Sequence, residues 1–277
     1  MIYGAAALAG CGAAVARADW QVVSTVPAAE RRGNGKASVS SPLVRHVVQT
    51  LREAGGAEGD RQATLHFVLF DAQRATFKVV DQGAGGRLEL GAAMRGAGCL
   101  AGVNGGYFHE DFRPLGLVVS DGKEVHPGER AALLSGLVIV GADGRPALVR
   151  AEEYRAQVQS AAAPPRQALQ AGPFLVDGGH AVPGLNAVRA ARRTVVLTDG
   201  AGRWALASTS GLTLAETGAV LAQPGIVPSG LRVRRALNLD GGSSTGLWVA
   251  AEAGAGEPAV YLREWSTVRN FLGVVPR

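Results

Sequence analysis

The sequence predicts an α+β protein, a single domain with mixed, strand-rich sheets and a few packed helices. Three observations predict it. Gly accounts for 39 of 277 residues, about twice the usual share, with no Gly-X-Y period. So many glycines in a folded chain serve tight turns and bulges, which strands need more than helical bundles do. Asp-Gly pairs stand between apolar runs at Asp121-Gly122, Asp143-Gly144, Asp177-Gly178, Asp199-Gly200 and Asp240-Gly241. Such pairs favour hairpins because a type I′ turn needs positive φ. Strand-like and helix-like pieces also alternate without a steady strand–helix–strand rhythm, and no internal repeat of fixed period is visible.

The elements follow in order. Residues 1–18 read MIYGAAALAGCGAAVARA, short, apolar and rich in small residues. Ala16-Arg17-Ala18 has the A-x-A form of a signal-peptidase site, so this segment reads as a signal peptide. Leu8-Ala9-Gly10-Cys11 also fits a lipobox, in which Cys11 would be lipidated; simple cleavage is preferred because only ten residues precede Cys11. Either reading makes the protein exported, periplasmic or secreted, and no other stretch is long and apolar enough to cross a bilayer. Residues 19–59 are expected to form an N-terminal segment with a polar loop at Arg31–Lys36 and a helix. Ser41 would cap that helix, Pro42 would open it, Leu43, Val44, Val47, Val48 and Leu51 would share one face, and Gly55-Gly56 would end it. Residues 60–277 form the main domain.

Within it, Leu65–Phe70 is a strand, with Ala75–Val80 as its expected hairpin partner. Leu88–Arg95 is a helix, and strands are expected at Cys99–Val103, Gly116–Ser120, Gly136–Val140 and Ala147–Val149. Ala151–Arg166 reads as a short helix and a surface insertion. Thr194–Leu197 and Trp204–Ser208 flank an Asp-Gly turn. Thr213-Leu214-Ala215-Glu216 has the capping-box spacing, opening a helix that runs to Ala222 before Pro224. Strands at Ala236–Leu239, Leu247–Ala250 and Phe271–Val275 complete the set.

Composition excludes several classes. Hydrophobic residues at 47% and the lack of polar low-complexity tracts exclude a disordered chain. The net charge of +5 comes mainly from scattered Arg, with only short clusters at Arg31-Arg32, Arg192-Arg193 and Arg232/Arg234/Arg235 and no interleaved aromatics, so a nucleic-acid partner is not expected. The two cysteines, Cys11 and Cys99, leave a lone buried thiol after cleavage, and no paired-Cys metal site. Gly242-Ser243-Ser244-Thr245-Gly246 matches the G-x-S-x-G elbow, but all five His lie upstream and a strand follows. A serine hydrolase is therefore rejected, and the dispersed His carry no zinc signature.

Two Gly-flanked polar turns remain, Asn104-Gly105-Gly106-Tyr107-Phe108 and Asn238-Leu239-Asp240-Gly241-Gly242-Ser243-Ser244-Thr245, each after a short apolar strand. A polar side chain there is rigidly held, and paired glycines let a ligand approach the backbone amides as an anion nest. The plain alternative is two hairpin turns.

Asn104–Phe108, followed by Pro114–Gly122, Gly172–Gly178, Arg193-Thr194, Gly211–Leu214 and Ala236–Thr245, resembles the ordered motifs of the phosphodiester glycosidase family, relatives of the uncovering enzyme. The likeness spans about residues 99–246; the Gly run after Asp240 is shorter than in many relatives, and residues 151–168 match no family motif. It implies an exported α+β hydrolase that breaks the sugar C–O bond of a sugar-1-phosphodiester. Its leaving group is already a weakly basic phosphate, so a general acid matters less than a carboxylate at C1 and anion-stabilising donors. On this reading Asp240 is nucleophile or base, Arg193 clamps the phosphate through its planar fork, and Asn104 orients sugar hydroxyls or water. Gly105, Gly106, Gly241 and Gly242 offer amides, Tyr107 lines the substrate, and Ser243 and Ser244 bind phosphate or hold Asp240. Asp177 is a second carboxylate candidate. The expected partner is a sugar-phosphodiester or glycan substrate; no cofactor or metal is assigned, and the oligomeric state is open. Two alternatives stay in view: a non-catalytic envelope carbohydrate-binding module, and a metal-assisted phosphodiesterase cleaving P–O with ligands drawn from Asp177, Asp199 and Asp240.

Overall fold

Runs of β-branched and apolar residues broken by Gly fold here into antiparallel sheets that stack in layers. The computed structural model describes residues 19–27, 43–54, 61–83, 85–158, 164–251 and 259–277. The signal-peptide and lipobox readings of residues 1–18, and the loop at Arg31–Lys36, lie outside the described residues.

The largest sheet contains β1 (Asp19–Pro27), β2 (Arg45–Ala54), β3 (Gln62–Asp71), β11 (Phe174–Asp177), β12 (His180–Ala181), β13 (Ala191–Thr198), β14 (Arg203–Leu212) and β15 (Arg235–Asn238). Its order is β1-β2-β3-β14-β13-β15-β11-β12. A second sheet, ordered β7-β6-β10-β8-β9, is built from β6 (Val118–Ser120), β7 (Lys123–His126), β8 (Gly136–Val140), β9 (Pro146–Arg150) and β10 (Gln167–Ala171). A third, ordered β17-β16-β5-β18-β4, is built from β4 (Ala75–Asp81), β5 (Ala101–Asn104), β16 (Leu247–Val249), β17 (Val260–Leu262) and β18 (Asn270–Pro276). Helices α1 (Leu90–Gly96), α2 (Ala151–Val158) and α3 (Leu214–Ala222) are few beside these strands, so the protein is mostly β, more so than an even α+β mixture.

One face of the large sheet packs on the two smaller ones through Val68, Phe70, Phe77, Val103, Leu169, Val196 and Leu237, all buried. Its other face is covered by α3 and the chain around Ile226–Val233. Helix α1 covers the outer face of the third sheet, and α2 begins on the second. The central strand β13 is therefore buried on both faces, which explains its unbroken apolar run Val195-Val196-Leu197.

Two expectations are corrected. Residues Arg45–Ala54 are strand β2, not a helix, paired with β1 and β3. Their apolar spacing fits both periods. Val47, Gln49 and Leu51 alternate inward, and the β-branched valines suit a pleated surface with partners on both sides. Likewise β4 is no hairpin partner of β3: after the turn at Asp71–Arg74 it enters the third sheet and pairs with β18. The rings explain the crossing, because Phe77 meets Phe70 edge-on at 5.1 Å and Trp204 at 5.3 Å, stacking the strands face to face. By contrast α3 has its full capping box, with Glu216 N–H on Thr213 Oγ1 at 3.1 Å and Thr213 N–H on Glu216 Oε2 at 2.8 Å.

Four of the five Asp-Gly pairs close hairpins: β6–β7, β8–β9, β11–β12 and β13–β14, with positive φ at Gly122, Gly144, Gly178 and Gly200. The fifth does not. Gly241 is extended at φ −131°, Gly242 turns at φ 64°, and a short 3-10 turn at Gly242–Ser244 carries the chain from the large sheet to β16 of the third.

Candidate active site

The fifth Asp-Gly meets the Asn104 turn where the large and third sheets adjoin. Leu239 N–H continues the ladder onto Thr194 O at 2.8 Å, so Asp240 leaves β15 alongside β13. Asp240 N–H then donates to Gly105 O at 3.1 Å, which ties the two polar turns together through the backbone.

Asn104 is the hub of this junction. It is fully buried. Its Nδ2 donates to Asp240 O at 2.8 Å, while Oδ1 accepts from Thr194 Oγ1 at 2.7 Å and from Gly246 N–H at 3.1 Å. The amide thus grips β13, the 240 turn and the entry to β16, and it is placed to position Asp240. Three of its four hydrogen-bonding positions are used within the protein, and the side chain is closed to solvent.

Asp240 is partly buried. Burial raises its carboxyl affinity for a proton, opposed by the Ser244 hydroxyl and Gly241 N–H; the latter donates to Oδ1 at 2.8 Å. Ser244 is itself buried, so its hydroxyl acts on the carboxylate rather than on bulk solvent. Tyr107 lies close enough to sense both Asp240 and Arg193. Burial, then the Asp240 charge, pushes its phenol well above the usual range, and the hydroxyl donates to Gly172 O at 2.6 Å. Asn238 Nδ2 donates to that same hydroxyl at 2.9 Å, so Tyr107 is a fixed wall of the site.

Arg193 is half-buried, which lowers its proton affinity. Its Nε donates to Leu212 O at 2.9 Å and its Nη2 to Arg189 O at 2.6 Å. These bonds hold the guanidinium to backbone carbonyls and leave Nη1 as the edge for a ligand, so the expected two-pronged clamp is reduced to one side. A methyl placed on Gly241 would lie 3.9 Å from Arg193 Nη1 and 3.0 Å from Arg192 O, so glycine keeps this approach open. Among the described residues no carboxylate pairs with Arg193.

Other expected donors fall out differently. Gly105 N–H is taken by Asn270 O and Gly106 N–H by Asn270 Oδ1, both at 2.8 Å, so neither amide is free for substrate. Close packing explains both glycines: a methyl on Gly105 would lie 2.0 Å from Asn270 Oδ1, and one on Gly106 3.0 Å from Gln170 O. Gly242 opens the 3-10 turn, where first amides have no partner within the helix, and Ser243 follows it on the exposed side. Asp177 lies elsewhere. It pairs with Arg150 Nη2 at 2.7 Å and Arg235 Nε at 3.0 Å, and Arg235 begins β15 whereas Asp240 follows its end. That puts the length of the strand, roughly 10 Å, between them. Asp199 sits at that same far end, paired with Arg203 at 2.6 Å. The three aspartates considered as metal ligands are therefore not brought together, and among the described residues no group of three or more His, Cys, Asp or Glu could hold a metal ion.

Several contributors were not assigned from sequence. Thr194, Asn238 and Asn270 are buried polar residues on β13, β15 and β18, and each touches one of the two turns. Their visible signal is a polar residue bordering an apolar run. Arg192 donates to Thr245 O at 2.5 Å and stacks 4.5 Å over the Trp265 ring. Buried atoms without a partner gather here as well: Arg192 Nη1, Asn238 Oδ1, Thr245 Oγ1 and Asn270 Nδ2. Such groups mark sites where water or a ligand completes the bonding.

Residues 97–275 match the sequence pattern of the phosphodiester glycosidase family. No curated protein matches the chain. Among solved structures, the zebrafish N-acetylglucosamine-1-phosphodiester alpha-N-acetylglucosaminidase catalytic domain, auto-inhibited by its pro-peptide, shares the fold. It has a TM-score of 0.65 and 18% identity over 92% of this chain and 88% of that one. A hypothetical protein from Synechocystis (TM-score 0.53, 18% identity, 83% of this chain and 62% of that) is also similar. So is a Burkholderia pseudomallei K96243 protein described as exported (TM-score 0.53, 18% identity, 80% and 75%). Among the described residues no helix is long and apolar enough to cross a membrane.

Proposed function

The chain belongs to the phosphodiester glycosidase family, and on that premise we propose that it hydrolyses the sugar C1–O bond of a sugar-1-phosphodiester at the Asn104–Asp240 junction. One observation carries the assignment of the site: a half-buried guanidinium with no carboxylate partner among the described residues, Arg193, faces the turn that holds a desolvated carboxylate, Asp240. An unneutralised buried cation is costly, and an anionic substrate group offsets that cost.

The chemistry follows from these positions. Arg193 Nη1 and the Gly242 amide draw one set of phosphate oxygens to the Gly241 side of the turn. Asp240, oriented by Gly241 N–H and the Ser244 hydroxyl, faces C1. As a base it takes a proton from water as the water oxygen bonds to C1; as a nucleophile it forms a glycosyl ester that water then opens. Either way the C1–O bond breaks and its electron pair leaves with the phosphate monoester, which needs no strong acid to depart. Burial makes Asp240 a stronger base than a free carboxylate, which suits the first route.

The test is turnover of a panel of sugar-1-phosphodiesters in ¹⁸O-water. Label in the sugar, and loss of at least about a hundredfold in turnover for both Asp240→Asn and Arg193→Ala with folding intact, is the expected result. Label in the phosphate would assign P–O cleavage instead, and sugar affinity without turnover would assign a binding module. Export belongs to the same reading, resting on residues 1–18, and recovery of the protein in the cytoplasmic fraction alone would reject it.

A further inference from the structure

We propose that the Trp265 indole is the floor of a sugar subsite beside Asp240, taking the apolar face of the pyranose ring while the phosphate lies toward Arg193. This rests on the glycosidase reading and extends it to the part of the substrate each flank holds. The chain has four tryptophans. Trp20, Trp204 and Trp248 are buried at 1%, 4% and 3% exposure, whereas Trp265 is 76% exposed.

A single exposed aromatic is ordinary on a surface, but this one is fastened to the site. The backbone N–H of Trp265 donates to Ser243 O at 2.7 Å, and the adjacent Ser266 hydroxyl meets the Ser243 hydroxyl at 3.1 Å. Ser243 is three residues beyond Asp240 in the same turn. Arg192 lies over the ring at 4.5 Å and is held by Thr245 O at 2.5 Å and Arg263 O at 3.2 Å, so it bridges the turn and the Trp265 segment. The backbone of Trp265 is thus tied to the turn, and its indole, which the core does not use, is held there by Arg192.

The two flanks of the turn then differ in kind. At Gly241 stands the guanidinium of Arg193; at Ser243 stands an exposed aromatic surface. A sugar-1-phosphodiester has the same polarity: an anion on one side of C1, and on the other a ring whose C–H faces stack on an aromatic surface. An indole supplies such area at little conformational cost, with a polar N–H at its edge. With the phosphate directed to the cation, the pyranose falls to Trp265, which makes the residue a determinant of glycone binding and leaves the aglycone beyond Arg193.

Acrylamide quenching of tryptophan emission in the full chain tests this, because Trp265 is the one tryptophan quencher can reach freely. The quenchable component should disappear in Trp265→Ala. N-acetylglucosamine, glucose or mannose should lower its quenching constant at least about twofold, whereas dimethyl phosphate should not. On any sugar-1-phosphodiester that the wild type turns over, Trp265→Ala should raise KM roughly tenfold and change kcat less than about threefold, with Trp265→Phe recovering most of the loss. Protection by dimethyl phosphate but by none of the sugars would overturn the proposal, as would protection by no probe. If the wild type hydrolyses no sugar phosphodiester, the glycosidase reading fails while the quenching result still decides the subsite.

Discussion

Replacing Asn104 by Ala separates positioning from surface contact. The side chain makes three bonds, to Asp240 O at 2.8 Å, Thr194 Oγ1 at 2.7 Å and Gly246 N–H at 3.1 Å. Alanine leaves two donors and one acceptor without their partner, two of them in fully buried residues. An unpaired buried polar group costs about 1–3 kcal/mol. Water admitted to the vacated space restores part of that, so the low end applies and the sum is about 3 kcal/mol. For a chain of this size the expected fall in Tm is roughly 6 °C. Catalysis should suffer separately: with the Asp240 carbonyl released, kcat should drop at least about tenfold while KM moves little, because a misplaced carboxylate affects the transition state more than binding. Thr194→Val is the graded companion. It removes one donor while Gly246 N–H still serves Asn104 Oδ1, so about 1 kcal/mol and a kcat within about threefold of wild type are expected. Urea unfolding and steady-state kinetics measure both. A stability loss below about 1 kcal/mol in Asn104→Ala, together with unchanged kcat, would refute the hub.

Two further outcomes concern protons. The folded-state pKa of Asp240 is raised by burial above the unfolded value of about 3.9, so the native state binds the extra proton between those limits. Wild-type stability should therefore fall as pH rises through that window. Asp240→Asn should be the more stable protein above it, its advantage shrinking toward pH 4; equal urea midpoints at neutral pH would count against a desolvated carboxylate. The His46–His66 pair acts in the opposite sense. Their rings stack at 5.3 Å, burial and the neighbouring His66 lower the His46 pKa to about 4, and burial lowers that of His66. The unfolded His, near 6.5, binds protons first, so their contribution is intact above pH 6.5 and lost as pH falls through about 4. On the order of 1–2 kcal/mol should disappear across that range once partial solvent screening is allowed for, and His46→Gln should flatten the curve of urea midpoint against pH.

Local signals carried much of the fold. The capping box at Thr213–Glu216 and the apolar run Gly136–Val140 act within a few residues, and the corresponding helix and strand stand where those signals put them. Pairing was harder to read. Residues 43–51 satisfy a helical period and a strand period together, and only the presence of β1 and β3 on either side decides between them. The turn at Asp71–Arg74 is short enough for a hairpin, yet the shared burial of Phe70, Phe77 and Trp204 sends β4 into another sheet. The amides of Gly105 and Gly106 illustrate the same limit at the site, since the residue that occupies them, Asn270, is 164 positions from Gly106.

The fifth Asp-Gly shows how one dipeptide can close a hairpin or join two sheets. At Gly122, Gly144, Gly178 and Gly200 positive φ closes a hairpin, and the preceding Asp lies at the end of a ladder or in a surface turn. At position 240 the partner strand is absent, because β15 belongs to the large sheet and β16 to the third. The turn must therefore be stabilised by something other than a hairpin ladder. Asn104, Gly105 and Thr194 do so, holding the backbone from outside while the carboxylate stays fixed by its own Gly241 amide. A carboxylate at a junction between sheets is rigid without being neutralised, whereas Asp177 at a hairpin end lies within a network with Arg150 and Arg235. That difference in counter-ion, more than the dipeptide itself, separates the two aspartates that sequence alone left as rivals for one role.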